Sequence, residues 1–217
     1  MKTFKFWLIL FSLMLLTLGL SGPSKTVTLK HAGYISYYNT DLKYPVRVEW
    51  WDTKARLGCT DKLPRKDKFA ADPLLPAETD LAGDYVGSGL DRGHMCPAAD
   101  NQCDSQQLLE CFYFSNMAPQ YHSLNAGDWK KLEMRVRDLA MEYDSVKVWC
   151  GSIGEQERIG RVAVPEKCWK VIYVKRTKQW EAYLFNNGPE KPIGLEHWKT
   201  SKSEIEKLVS FKFKNLN

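Results

Sequence analysis

Histidine is scarce in this sequence: four in 217 residues, His31, His94, His122 and His197. There is no internal repeat, no low-complexity tract and no linker-like stretch in the body of the chain, so nothing divides it into an array of units. No two cysteines stand in C-x-x-C spacing, which leaves the knuckle-type zinc sites without their spacing signature. Charge of one sign is also lacking: 31 basic residues face 26 acidic ones, a net of +5. A balance that mild tolerates polyanions but does not announce them.

Long apolar runs are absent except at the start. Lys2 and Lys5 precede an uncharged apolar run from Phe6 to Leu20, and small residues follow at Ser21 and Gly22. A positive end, an apolar middle and a small-residue exit make an export signal. The run is shorter than the ~20 residues of a spanning helix, so a cleaved leader over residues 1–24 is expected, with residues 25–217 as the mature domain. With no cysteine in the leader, lipid attachment has no acceptor. These features predict a secreted or periplasmic protein without lasting membrane association.

What is present in quantity is cysteine: Cys59, Cys96, Cys103, Cys111, Cys150 and Cys168. In an exported chain the expectation is disulfides, whose connectivity the sequence does not set. The sharper alternative is a zinc ion held by His94, Cys96, Cys103 and Cys111, whose gaps are irregular.

Strand signals open the domain in "TVTLKHAGYISYYN" and "VRVEWW", rich in β-branched and aromatic residues. A long polar, proline-bearing connection follows, and "LECFYFSNMAP" reads as a short apolar strand. In "NAGDWKKLEMRVRDLAMEYD" the apolar residues Trp129, Leu132, Val136, Leu139 and Ala140 recur at helical intervals, predicting an amphipathic helix from about Asn125. Strands resume in "VKVWCG", "CWKVIYVK" and "WEAYLFN", and "SKSEIEKLVSF" reads as a closing helix. The sum is a mixed α+β domain.

The chemistry concentrates in "GLDRGHMCPAADN". A lone histidine is usually structural, but beside His94 stand Gly93, which permits a tight turn, Arg92, able to grip a phosphate through parallel hydrogen bonds, and Asp91, able to orient a partner. A neutral imidazole is suited to take a proton from water. Downstream, Asn116, Gln120, Asn125 and Glu133 form a second polar set. Asn125 and Glu133 lie a little over two helical turns apart and can address one side. Singly, Asn125 reads as an ordinary helix cap. Phosphodiester hydrolysis would unite the two sets: a base for water, a cation for the phosphate, and a hard metal with few protein ligands at the leaving oxygen. On the residues alone this reaction is allowed and not compelled.

"DRGHM", "FSNMAPQ" and "LNAGDWKKLE", in that order, resemble the successive motifs of the DNA/RNA non-specific endonuclease family, the ββα-metal or His-Me finger nucleases. The likeness extends from about Val27 to the closing helix. It implies a central antiparallel sheet with flanking helices and a strand–strand–helix unit around a metal. His94 would be the general base and Asn125 the one direct protein ligand of Mg2+, with Mn2+ or another divalent cation as a substitute. Glu133 would hydrogen-bond the waters around that ion, and Asn116 would support the site. Arg92 would contact the phosphate or brace the turn, and Arg65, in "RKDKFAADP", matches an upstream family arginine. The partners implied are DNA and RNA, cut with little sequence preference to leave 5′-phosphates; a homodimer is compatible with the sequence, which does not set the oligomeric state. The competing expectation is a catalytically inactive, disulfide-stapled secreted module that binds nucleic acid.

Overall fold

The computed structural model describes residues 25–214; the expected leader lies outside the described residues. Strands β1 (Thr26–Lys30), β2 (Ile35–Asn39) and β3 (Tyr44–Thr53) form a meander at one side of a seven-stranded sheet. A short helix, α1 (Lys54–Leu57), and the long connection carrying α2 (Pro76–Thr79) lead to β4 (Asp91–His94). After α3 (Ser105–Glu110) comes β5 (Met117–Gln120), which pairs antiparallel with β4 as a separate two-stranded ribbon, Gly93 opposite Ala118 and His94 opposite Met117. The chain then forms α4 (Lys130–Tyr143) and returns to the main sheet as β6 (Ser145–Ile153).

A small hairpin, β7 (Glu157–Ile159) with β8 (Val162–Val164), precedes β9 (Lys167–Val174), β10 (Gln179–Asn186), α5 (Leu195–Trp198), β11 (Lys199–Thr200) and α6 (Lys202–Val209). The main sheet runs in the order β1-β2-β3-β6-β9-β10-β11 with every pair antiparallel.

Both faces of this sheet are covered, which explains why β9, "KCWKVIYV", is apolar nearly throughout rather than alternating. One face, with Val48, Trp50, Val148 and Ile172, packs against Leu132, Val136, Leu139 and Ala140 of α4. The other, with Trp149, Trp169, Val171 and Tyr173, packs against Ile205 and Phe213. Among the described residues no helix is long and apolar enough to cross a membrane.

Two local expectations are corrected. "LECFYF" is not a strand: it is the end of α3 followed by a 3-10 turn at Phe114–Asn116, with one isolated bridge from Tyr113 to Ala70, and the strand begins only at Met117. The Asp104 side chain caps α3 by accepting from the Gln107 N–H, a local bond that the apolar run conceals. The helix expected from Asn125 starts as a wider, π-type segment, Leu124–Trp129, in which Gly127 leaves helical geometry (φ −97°, ψ −114°). A Cβ on Gly127 would collide with Pro192, so the glycine permits the close approach that shapes this turn.

The cysteines form one bridge, Cys59–Cys103, and Cys96, Cys111, Cys150 and Cys168 are buried free thiols. A full disulfide framework is therefore absent among the described residues, and the zinc alternative fails because Cys103 is already bonded. No cluster of three His, Cys, Asp or Glu side chains able to hold a metal occurs among the described residues.

Candidate active site

The two-stranded ribbon and the segment leading into α4 form one strand–strand–helix unit. Two hydrogen bonds pin the helical part to β4. The Trp129 indole N–H donates to the His94 carbonyl at 3.1 Å, and the Asn125 side-chain N–H donates to Asp91 Oδ2 at 2.8 Å. His122 Nδ1 lies 2.9 Å from the same carboxylate oxygen. Opposite, Gly93 lies so close to the Gln120 side chain that any Cβ there would overlap it. Glycine in the "DRGH" stretch is thus required by the ribbon's own packing.

His94 is 8% exposed and its Nε2 has no hydrogen-bond partner. The Phe112 ring meets it edge-on at 5.0 Å and Phe69 stands at 5.7 Å. Burial, and next the charge of Arg65, lower the imidazole to about 3, so at neutral pH it is uncharged with an open lone pair.

Arg92 extends between aromatic faces, 5.1 Å from Phe69 and 5.4 Å from Tyr85, and its Nε is buried without a partner. Arg65 is exposed, paired with Asp67 at 2.6 Å and 5.6 Å over Phe112. Asn116 is fully buried, and its amide is committed to the backbone: Oδ1 accepts from Cys96 N–H, and Nδ2 donates to the Cys96 and Cys111 carbonyls, each at 2.9 Å. It holds the chain just beyond His94 and does not itself face the opening.

Glu133 lies on α4, one turn after Trp129. Burial raises its carboxyl to about 7, against an opposing pull from Lys170, and no ion pair to it is found among the described residues. Behind it Arg137 pairs with Asp100 at 2.9 Å, and Arg56 donates to the carbonyl of Asp100 and to Asn101 Oδ1.

The residues present fit a divalent cation. Asn125 has its amide N–H anchored on Asp91, which leaves the hard amide oxygen as the donor. Glu133, a partly buried carboxyl raised to about 7 with no ion pair found among the described residues, is what a nearby dication would compensate.

Sequence reasoning missed two participants. His122 was unmarked, although it stands three residues before Asn125. Lys170, in the middle of an apolar strand, is fully buried with an unpartnered Nζ 4.1 Å from the Trp129 ring. Trp129, read as plain core, also carries the bond to His94.

A family model described as DNA/RNA non-specific endonuclease matches residues 13–216. The chain is similar to the mitochondrial nuclease EXOG of Xenopus laevis, 37% identical over 67% of this chain and 47% of that protein. Nuclease C1 of Cunninghamella echinulata var. echinulata is 31% identical over 92% of this chain and 86% of its own length. Among solved structures, EndoG in complex with EndoGI has a TM-score of 0.76 at 26% identity, over 86% of this chain and 84% of that one. The chain spans about half the length of the EXOG relatives it matches, 46% for the human protein.

These relatives correct the expected location. The EXOG proteins of Xenopus laevis, Mus musculus and Homo sapiens and endonuclease G of Bos taurus are mitochondrial, so the secreted or periplasmic expectation is withdrawn. The composition of the chain's start does not outweigh the compartment that these relatives share. Motif order, the strand–strand–helix unit and the match over nearly the whole length agree: the chain belongs to the DNA/RNA non-specific endonuclease family.

Proposed function

We propose that this chain is a divalent-cation-dependent endonuclease that hydrolyses phosphodiester bonds of DNA and RNA with little sequence preference. The observation that carries the reading is the pinning of the Asn125 turn to the strand that ends in His94, whose ring nitrogen is buried, neutral and unpartnered.

His94 Nε2 accepts a proton from water as the water oxygen attacks phosphorus. The bond from phosphorus to the 3′-oxygen breaks, that oxygen leaves as a hydroxyl after taking up a proton, and the phosphate stays on the 5′ side. The phosphate's own charge, brought beside the ring, stabilises the imidazolium and raises its proton affinity during the step. Arg92, held between two aromatic rings, and Arg65, on the exposed loop, grip phosphate oxygens. Asn116 keeps the turn after His94 in place.

A magnesium ion, or manganese in its stead, held by the Asn125 oxygen would supply charge stabilisation at the phosphate and the departing oxygen. Glu133 orients the polar surroundings of that position, and Asp91 fixes the Asn125 amide. Contacts made to phosphates carry no base information, which accounts for weak sequence preference.

The test is incubation of the protein with supercoiled plasmid and with RNA, in magnesium and in excess EDTA. Cleavage of both polymers in magnesium and silence in EDTA are expected. Tight binding without cleavage under either condition would replace this reading by that of an inactive binding module.

A further inference from the structure

Beside the catalytic histidine lies a pocket that the hydrolytic mechanism does not use. It has a volume of about 200 Å³ and is lined by Leu63, Leu108, Leu109 and Phe112 together with Lys66 and Lys68. Phe112 is shared with the active site: its ring meets His94 edge-on at 5.0 Å, Phe69 edge-on at 5.3 Å, and carries the Arg65 guanidinium 5.6 Å over it. The pocket is thus one aromatic ring away from His94.

Its wall is fixed in place. Cys59 is bonded to Cys103, and Leu63 and Gln102 exchange hydrogen bonds, Leu63 N–H to the Gln102 carbonyl and Gln102 Nε2 to the Leu63 carbonyl, both at 2.9 Å. Arg65 is answered by Asp67, whereas no ion pair to Lys66 or Lys68 is found among the described residues. A largely apolar recess with two unanswered lysines in its lining complements an apolar group that carries negative charge on either side of it.

We propose that this pocket receives an unpaired nucleobase next to the scissile phosphate, with Lys66 and Lys68 on the flanking phosphates, so that the enzyme favours single-stranded over duplex substrate. This rests on the nuclease reading above and deepens it. A base in a duplex must leave its stack and its partner to enter, whereas a base in a single strand has much less to lose. Burying a base against apolar side chains and neutralising its neighbouring phosphates both favour the strand that can offer its bases.

Leu109 tests this without touching the chemistry. It is 43% exposed on α3, so Leu109→Glu should fold while placing a carboxylate in the recess. Rates on a single-stranded oligonucleotide and on its duplex are compared in magnesium. The wild-type protein should favour the single strand by about tenfold, and the variant should lose that preference while its duplex rate stays within about twofold. The double variant Lys66→Ala, Lys68→Ala should reduce the salt slope of single-strand binding by about 1.4, the contribution of two phosphates.

Cleavage by both proteins with an equal single-strand to duplex ratio overturns the pocket and leaves the nuclease reading standing. No cleavage of either substrate by the wild-type protein overturns that reading instead. The pocket is then judged by binding alone: 2-aminopurine fluorescence in a single strand should change on addition of the wild-type protein and not of Leu109→Glu, and an identical response from both sinks the proposal.

Discussion

Asp91 Oδ2 accepts a hydrogen bond from the Asn125 amide at 2.8 Å, across the gap between a strand and the helical turn that faces it. An amide has one donor end and one acceptor end, so fixing the N–H on a carboxylate decides where the oxygen points. His122 shares that carboxylate from the solvent side. Asp91 therefore sets the orientation of the Asn125 side chain.

Replacing that carboxylate by an amide removes the preference. Asp91→Asn should leave the fold intact, because Asp91 is only partly buried on a four-residue strand. If Asn125 holds the metal as proposed, activity should fall about 10–100-fold, the usual effect of removing a partner behind a metal ligand. The loss should shrink as magnesium is raised, since a misoriented ligand weakens ion binding first. A magnesium titration of plasmid nicking reads this directly, and a variant with wild-type magnesium dependence would refute the orienting role.

The His94 ring gives a prediction in two currencies. Removing a general base costs about 10²–10⁴-fold in rate, so His94→Ala should cut plasmid cleavage by that much while circular dichroism stays native. The stability effect follows from the lowered value of about 3. Between that value and 6.5 the unfolded chain binds the proton and the native one does not, so the native state loses stability as pH falls through this window. Above 6.5 the full stability is present. The contribution lost is on the order of 5 kcal/mol at its limit. His94→Ala should flatten this part of the urea-midpoint profile, and an unchanged slope would mean that the ring protonates freely in the native state.

Glu133 titrates with the opposite sign. Its native value is raised to about 7 from an ordinary 4.5, so the folded protein holds a proton that the unfolded one has released. Stability from this group is complete below 4.5 and is lost as pH rises to about 7, a change of about 3 kcal/mol. Glu133→Gln keeps the shape and cannot titrate. In excess EDTA, the difference in unfolding free energy between wild type and variant should therefore move against the wild type as pH rises from 5 to 8. A difference constant with pH would show the carboxyl to be already ionised.

Much of this site is legible in the chain, and the parts that are not share a physical reason. "DRGH" and "LNAGDW" declare themselves through chemistry at short range: the glycine that a close strand requires, the asparagine before a helix. Asp91, His94 and Asn125 can be read because their neighbours explain them. The bridge from Cys59 to Cys103 spans 44 residues, and no local pattern fixes such a pairing. "LECFYF" misleads because six residues with an apolar bias suit a strand or a short capped helix equally. The location was misread because a leader's composition does not name its destination.

Lys170 is the least legible of all, a lysine at the centre of β9 between Cys150 and Tyr183 on the neighbouring strands. Its Nζ is fully buried, has no hydrogen-bond partner and lies 4.1 Å from the face of Trp129, the residue that holds the His94 carbonyl. A buried charge without a hydrogen-bonded partner is costly, and an apolar side chain of like volume often does better. Lys170→Met should therefore raise the unfolding free energy by about 1–3 kcal/mol in urea. It should also remove the largest influence holding the Glu133 carboxyl down. Under the proposed role of Glu133, the acid limb of the cleavage rate then shifts to higher pH even as the protein becomes more stable. A variant that gains stability with an unmoved pH profile would show that the lysine serves packing alone; one that loses stability would show that its contact with the Trp129 face outweighs the burial.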